Sequence, residues 1–87
     1  MKILTIKDMV RKDVPIYYRK LYTGVAVIEF MANSADYRVD FTLEIKPTGE
    51  KEITVNFLDP IEYPLVQISN MMKKYIDEMD SVGGLPD

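Results

Sequence analysis

The stretch DYRVDFTLEIK alternates without a break. Tyr37, Val39, Phe41, Leu43 and Ile45 are separated by Arg38, Asp40, Thr42 and Glu44, with Lys46 closing the run. Successive side chains of a β-strand point to opposite faces, so a strict period of two marks a strand with one dry and one wet side. Pro47, Thr48 and Gly49 then supply turn residues. The next run, KEITVNFL, alternates again, with Ile53, Val55 and Phe57 against Glu52, Thr54 and Asn56. The pair predicts a hairpin from about Tyr37 to Leu58.

Upstream, GVAVIEFMA is β-rich and followed by Asn33 and Ser34 as a turn signal. A third strand therefore precedes the hairpin and completes an antiparallel meander. It differs from the other two. Ala26, Ile28 and Phe30 form one face, while Val25, Val27 and Met31 form the other, interrupted only by Glu29. Strands that are apolar on both sides are normally covered on both.

Downstream, Asp59-Pro60 and Tyr63-Pro64 suit the start of a helix, because proline is tolerated in the first turn. Leu65, Ile68, Met72, Tyr75, Met79 and Val82 then recur at steps of three and four, with Ile61, Met71 and Ile76 at the margins. This is a helical stripe, and Gly83-Gly84 ends it. Such a helix, about 27 Å long at 1.5 Å per residue, is long enough to lie across the sheet. Residues 83–87 read as a frayed tail.

At the other end, TIKDMVRKDV has Thr5 three residues before Asp8, a loose analogue of a capping box. Ile6, Met9 and Val10 continue a helical spacing, so a short N-terminal helix is expected, ending by Val14 because Pro15 follows. Residues 16–22 fit a helix turn, a strand or a loop, with aromatic density favouring an extended segment. Thr23-Gly24 offers a turn or bulge into the following strand. The expected fold is α+β. A short N-terminal helix precedes an antiparallel three-stranded meander with a possible extra N-terminal strand, and a long C-terminal helix packs on one sheet face. No repeat or linker divides residues 1–87, which read as a single α+β domain.

Composition narrows the chemistry. The chain has neither cysteine nor histidine, so disulfides, thiolate metal sites and the commonest general base are excluded. Phosphate-binding glycine loops, nucleophile elbows and calcium loops are absent from the sequence. Its many carboxylates alternate with Arg38, Thr42 and Lys46, the pattern of a solvated strand face. The expectation is a non-enzymatic protein with no cofactor and no metal. The apolar run Met1–Ile6 is too short for a signal peptide and no stretch approaches a membrane span, so a cytoplasmic location is expected, with no membrane partner.

Net charge is −3, unevenly spread. Residues 1–22 carry Lys2, Lys7, Arg11, Lys12, Arg19 and Lys20 against Asp8 and Asp13, while residues 23–62 are predominantly acidic. The segment VPIYYRKLYTG places Tyr17, Tyr18 and Tyr22 around Arg19 and Lys20. Two readings follow. In the first, the chain is a protein-interaction module, accessory or regulatory, that binds an unknown protein partner or a second copy of itself. Its candidate surface is Tyr17, Tyr18, Arg19, Lys20, Tyr22, Val25, Val27 and Met31, because the two-sided strand needs a cover. Small acidic chains without catalytic motifs are frequent among phage and mobile-element proteins, an association that suits this reading. In the second, the basic aromatic segment 17–22 stacks bases and holds phosphates, and the order helix, three strands, helix is that of a nucleic-acid-binding domain. Against it stand the net acidic sheet face and a C-terminal helix that opens on LVQISN without a basic residue.

Overall fold

A computed structural model describes residues 1–14 and 18–86. Four strands and one helix follow in order: β1 (Lys2–Lys12), β2 (Arg19–Phe30), β3 (Asn33–Ile45), β4 (Lys51–Phe57) and α1 (Leu65–Ser81). The strands pair antiparallel as β1-β2-β3-β4, a simple up-and-down meander. The class is α+β, but the expected N-terminal helix is not there. Its residues form the edge strand β1.

The physical reason lies in two irregularities. Ile3 pairs with Ile28 and Thr5 with Val27, so Leu4 is an extra residue in β1. Lys7 pairs with Val25 and Val10 with Thr23, so the Asp8–Met9 step holds another, with Asp8 at φ 55°. Each β-bulge advances the strand by one residue without a partner and resets which side chains face inward. The inward positions become Ile3, Ile6 and Met9, a spacing of three. Two bulges thus make a strand imitate the spacing of a helix. They also twist an edge strand, which discourages further strand pairing.

The expected turn or bulge at Thr23-Gly24 is likewise absent from β2. Pairing to β3 runs unbroken from Arg19↔Glu44 to Phe30↔Asn33, and the bulge lies across from Gly24 in β1. The β2–β3 turn is Met31-Ala32, not Asn33-Ser34, which already belong to β3. Both turn residues have positive φ, 49° and 86°. A two-residue hairpin loop demands that geometry, and glycine or asparagine adopts it most cheaply. After β3, Gly49 at φ 90° donates its N–H to the Lys46 carbonyl at 2.8 Å and closes the turn into β4.

One sheet face forms the core with α1. Ile3, Ile6, Tyr22, Ala26, Ile28, Val39, Phe41 and Leu43 meet Ile68, Met72 and Ile76. Tyr22 and Phe41 are cross-strand partners whose rings stack at 5.1 Å, a pairing that adds to area burial. The helix buries a stripe at steps of four, while Leu65 and Val82, at the ends of the expected stripe, are exposed. Phe30 stacks on Tyr63 at 4.0 Å and meets Tyr37 edge-on at 6.2 Å. These rings pin the connection before α1 to the end of the sheet that carries the β2–β3 turn.

The helix ends in a Schellman motif. Gly84 N–H donates to the Met79 carbonyl at 2.8 Å and Gly83 N–H to the Asp80 carbonyl at 3.2 Å, with Gly83 at φ 71°. This reversal lets Leu85 pack back against the core, so the expected frayed tail is folded at Leu85; Asp87 lies outside the described residues.

Candidate interaction surface

Because α1 covers one face of the sheet and no fifth strand or second helix exists among the described residues, the other face is open. Its centre is β2. Leu21, Thr23, Val25 and Val27 alternate with the core residues Tyr22, Gly24, Ala26 and Ile28, and each is only half-buried. The register places Val10 beside Thr23 and Lys12 beside Leu21. Val10 is 53% exposed. A short apolar strip therefore runs along β2 with Val10 at its side.

Charge is sorted across this strip. On the β1–β2 side stand Lys7, Lys12 and Arg19, with Glu29 at the far end. On the β3–β4 side stand Asp36, Asp40, Glu44 and Glu52, with Arg38 among them. The sequence separation of charge becomes a spatial one because the meander keeps chain order across the sheet. Some of the charges pair within the face. Arg19 meets its cross-strand neighbour Glu44 at 3.3 Å, and Asn56 donates to Asp40 at 2.9 Å.

The Lys7–Asp36 pair explains why Val25 and Val27 are half-buried without an element above them. Lys7 sits beside Val25 on β1, and Asp36 sits beside Val27 on β3. Their 2.8 Å contact spans β2, so the Lys7 stem crosses the lane between the two valines and its ammonium reaches the carboxylate. Long charged side chains cover apolar surface in this way while their heads stay in water. The hydrogen bond to Asp36, followed by its charge, raises the Lys7 ammonium above the ordinary lysine value. The cover is one flexible chain, half-exposed at both ends, and a partner can displace it at small cost.

At the rim, Arg38 forks onto Asp59. Its Nε and Nη2 groups donate to Asp59 at 3.0 and 2.7 Å, and its backbone N–H donates at 2.8 Å. The side-chain bonds and then the backbone bond hold the Asp59 carboxyl below the ordinary aspartate range. Lys51 joins β4 to the end of α1 through Asp77 and Asp80, at 2.7 and 2.9 Å, and both bonds raise its pKa.

The residues anticipated as a partner surface are dispersed. Val25 and Val27 lie on the open face, and Arg19 lies at its upper corner. Lys20, one position on, takes the opposite side of the strand. Tyr22 is 1% exposed and belongs to the core, so it is withdrawn from the candidate surface. Tyr18 is exposed in the turn before β2, and its carbonyl accepts from Ile45 N–H at 3.0 Å. Met31 sits at the hairpin tip, 91% exposed, not on the strand face. Tyr17 lies outside the described residues. Sequence reasoning missed Leu21, Thr23, Lys7, Lys12 and Val10. Leu21 and Thr23 continue the odd-numbered series of Val25 and Val27, a signal that was available. The β1 residues were hidden by the helical spacing.

Among the described residues, no group of three or more acidic side chains gathers to hold a metal ion, and no helix is long and apolar enough to cross a membrane. The profile of one protein family, which carries a locus tag as its name, matches residues 1–81. The chain belongs to that family. No curated protein and no solved structure matches it.

Proposed function

We propose that this family member is a non-enzymatic protein-interaction module, accessory or regulatory, whose contact surface is the open face of the sheet. The observation that carries the reading is the central strand β2. It is apolar on both sides, yet only one side is packed under α1. A central strand with an unpacked apolar side, rimmed by charge, is the pattern of a surface that meets another protein. The rim supplies orientation and the strip supplies the water-excluding centre.

The nucleic-acid alternative loses its support. Strand alternation sends Arg19 and Lys20 to opposite faces and Tyr22 into the core, so no joint basic-aromatic platform forms. The helix-first order behind the analogy is absent, and the β3–β4 half of the open face is acidic.

The test is site-specific photo-cross-linking in the native host cell. A photoreactive residue replaces Val25 on the open face or Asn70 on the exposed side of α1. Discrete adducts from position 25 and none from position 70 are expected. No adduct at position 25, or equal labelling at both positions, overturns the reading.

A further inference from the structure

We infer that the occupant of the open face is a second copy of this chain, packed face to face about a two-fold axis that runs parallel to the strands over β2. The inference rests on the interaction reading above and names its partner.

Charge complementarity points to this occupant. A two-fold along the strands reverses their order in the facing copy and leaves their direction unchanged. With the axis over β2, the strip of Leu21, Val25 and Val27 meets its own image, and β1 of one protomer lies over β3 of the other. Lys12 is level with Thr42 in the sheet register. It therefore comes down between the facing Asp40 and Glu44. Lys7 comes down level with Arg38, between the facing Asp36 and Asp40, so the carboxylate it already holds is joined by a second. Each contact occurs twice, as an isologous interface requires. A two-fold perpendicular to the strands instead lays β1 over β1 and sets cations against cations. The charge pattern thus selects one packing, with the two sheets aligned to within about 30° as sheets commonly pack.

Size sets the strength. Three strands at about 4.8 Å spacing and about 30 Å length give a footprint of roughly 430 Å² per copy. Two copies bury roughly 900 Å², below the span of tight complexes. The dimer is therefore weak, concentration-dependent and sensitive to salt.

The experiment is sedimentation equilibrium and light scattering of the full chain from about 10 µM to 1 mM, the range suited to a weak dimer. The mass is expected to rise from 10.1 kDa toward twice that value. Val25→Glu and Lys12→Glu should each weaken association at least tenfold, with unchanged circular dichroism. Asp40→Lys should do the same. Mixing Lys12→Glu with Asp40→Lys should restore a dimer, because each of the two cross-contacts then pairs opposite charges. A misfolded variant cannot produce that rescue. A monomer at every concentration overturns the inference, and so does a dimer indifferent to Val25→Glu or a mixture that fails to associate. The cross-linking experiment separates the two claims. A discrete adduct with a different protein at position 25, beside a monomer in solution, removes the dimer and leaves the interaction reading standing. The absence of any adduct removes both.

Discussion

Replacing Gly24 with alanine tests how β1 closes on β2. Gly24 lies on the core face opposite the Asp8–Met9 bulge. A Cβ there meets Ile6 Cγ2 at 2.9 Å, Met9 Cγ at 3.2 Å and the Lys7 carbonyl oxygen at 3.3 Å. In open space the substitution would stabilise the chain by about 0.4–1 kcal/mol, because alanine has less freedom to lose on folding. Here Met9 can swing aside, but Ile6 is buried and branched at Cβ, and the Lys7 oxygen belongs to the backbone. Overpacking of this kind costs about 1–3 kcal/mol. The net expectation is a loss of about 1–2 kcal/mol, or roughly 5–12 °C in Tm for a chain of this size. Thermal and urea unfolding read it. If the Ile6 methyl is the cause, Gly24→Ala becomes neutral or stabilising in an Ile6→Ala background, a coupling that additive sites do not show. An unchanged or raised Tm in the native background refutes the reasoning, as does strict additivity with Ile6→Ala.

Other expectations follow from single features. The Met31-Ala32 turn holds two residues at positive φ without glycine or asparagine, so the double change Met31→Asn, Ala32→Gly should raise stability by about 1–2 kcal/mol in urea unfolding. Helix α1 starts at Pro64 with no side-chain cap and no acid in its first turn; Val66→Glu, at an exposed first-turn position, should add about 0.3–1 kcal/mol, read as a higher Tm. Asp59 should titrate below the ordinary aspartate value by carbon-detected NMR and move back up in Arg38→Ala. Since its folded pKa is the lower one, its contribution is complete above about pH 3.9 and vanishes as pH falls through the folded value.

The two central hairpin strands could be read from sequence because their alternation reports one dry and one wet face directly. The helix could be read for the same reason at another period, although its buried stripe runs through Ile76 and leaves out Leu65. β1 could not. Its bulges at Leu4 and Asp8 convert a period of two into a spacing of three, and nothing local separates Ile3-Ile6-Met9 in a bulged strand from one face of a helix. The partner is Gly24, whose missing side chain makes room for Ile6 and Met9; that information lies on another strand. The tyrosines of YYRKLY misled for a related reason. Tyr22 beside Arg19 and Lys20 reads as a patch, but alternation places Tyr22 against Phe41. Half of the open face was visible in Val25 and Val27. The lysine that shelters them was not, because it comes from β1.

The central claim is that the face of β2 away from α1 is closed by another molecule and not by the chain itself. Solvent paramagnetic relaxation of valine and isoleucine methyls in the dilute protein measures this directly. A soluble gadolinium probe should broaden the Val25 and Val27 methyls strongly and leave those of Ile28, Ile68 and Ile76 unchanged, and the two valines should gain protection as concentration rises. Val25 and Val27 methyls as protected as Ile28 in the dilute monomer would contradict it, since the chain would then cover its own sheet.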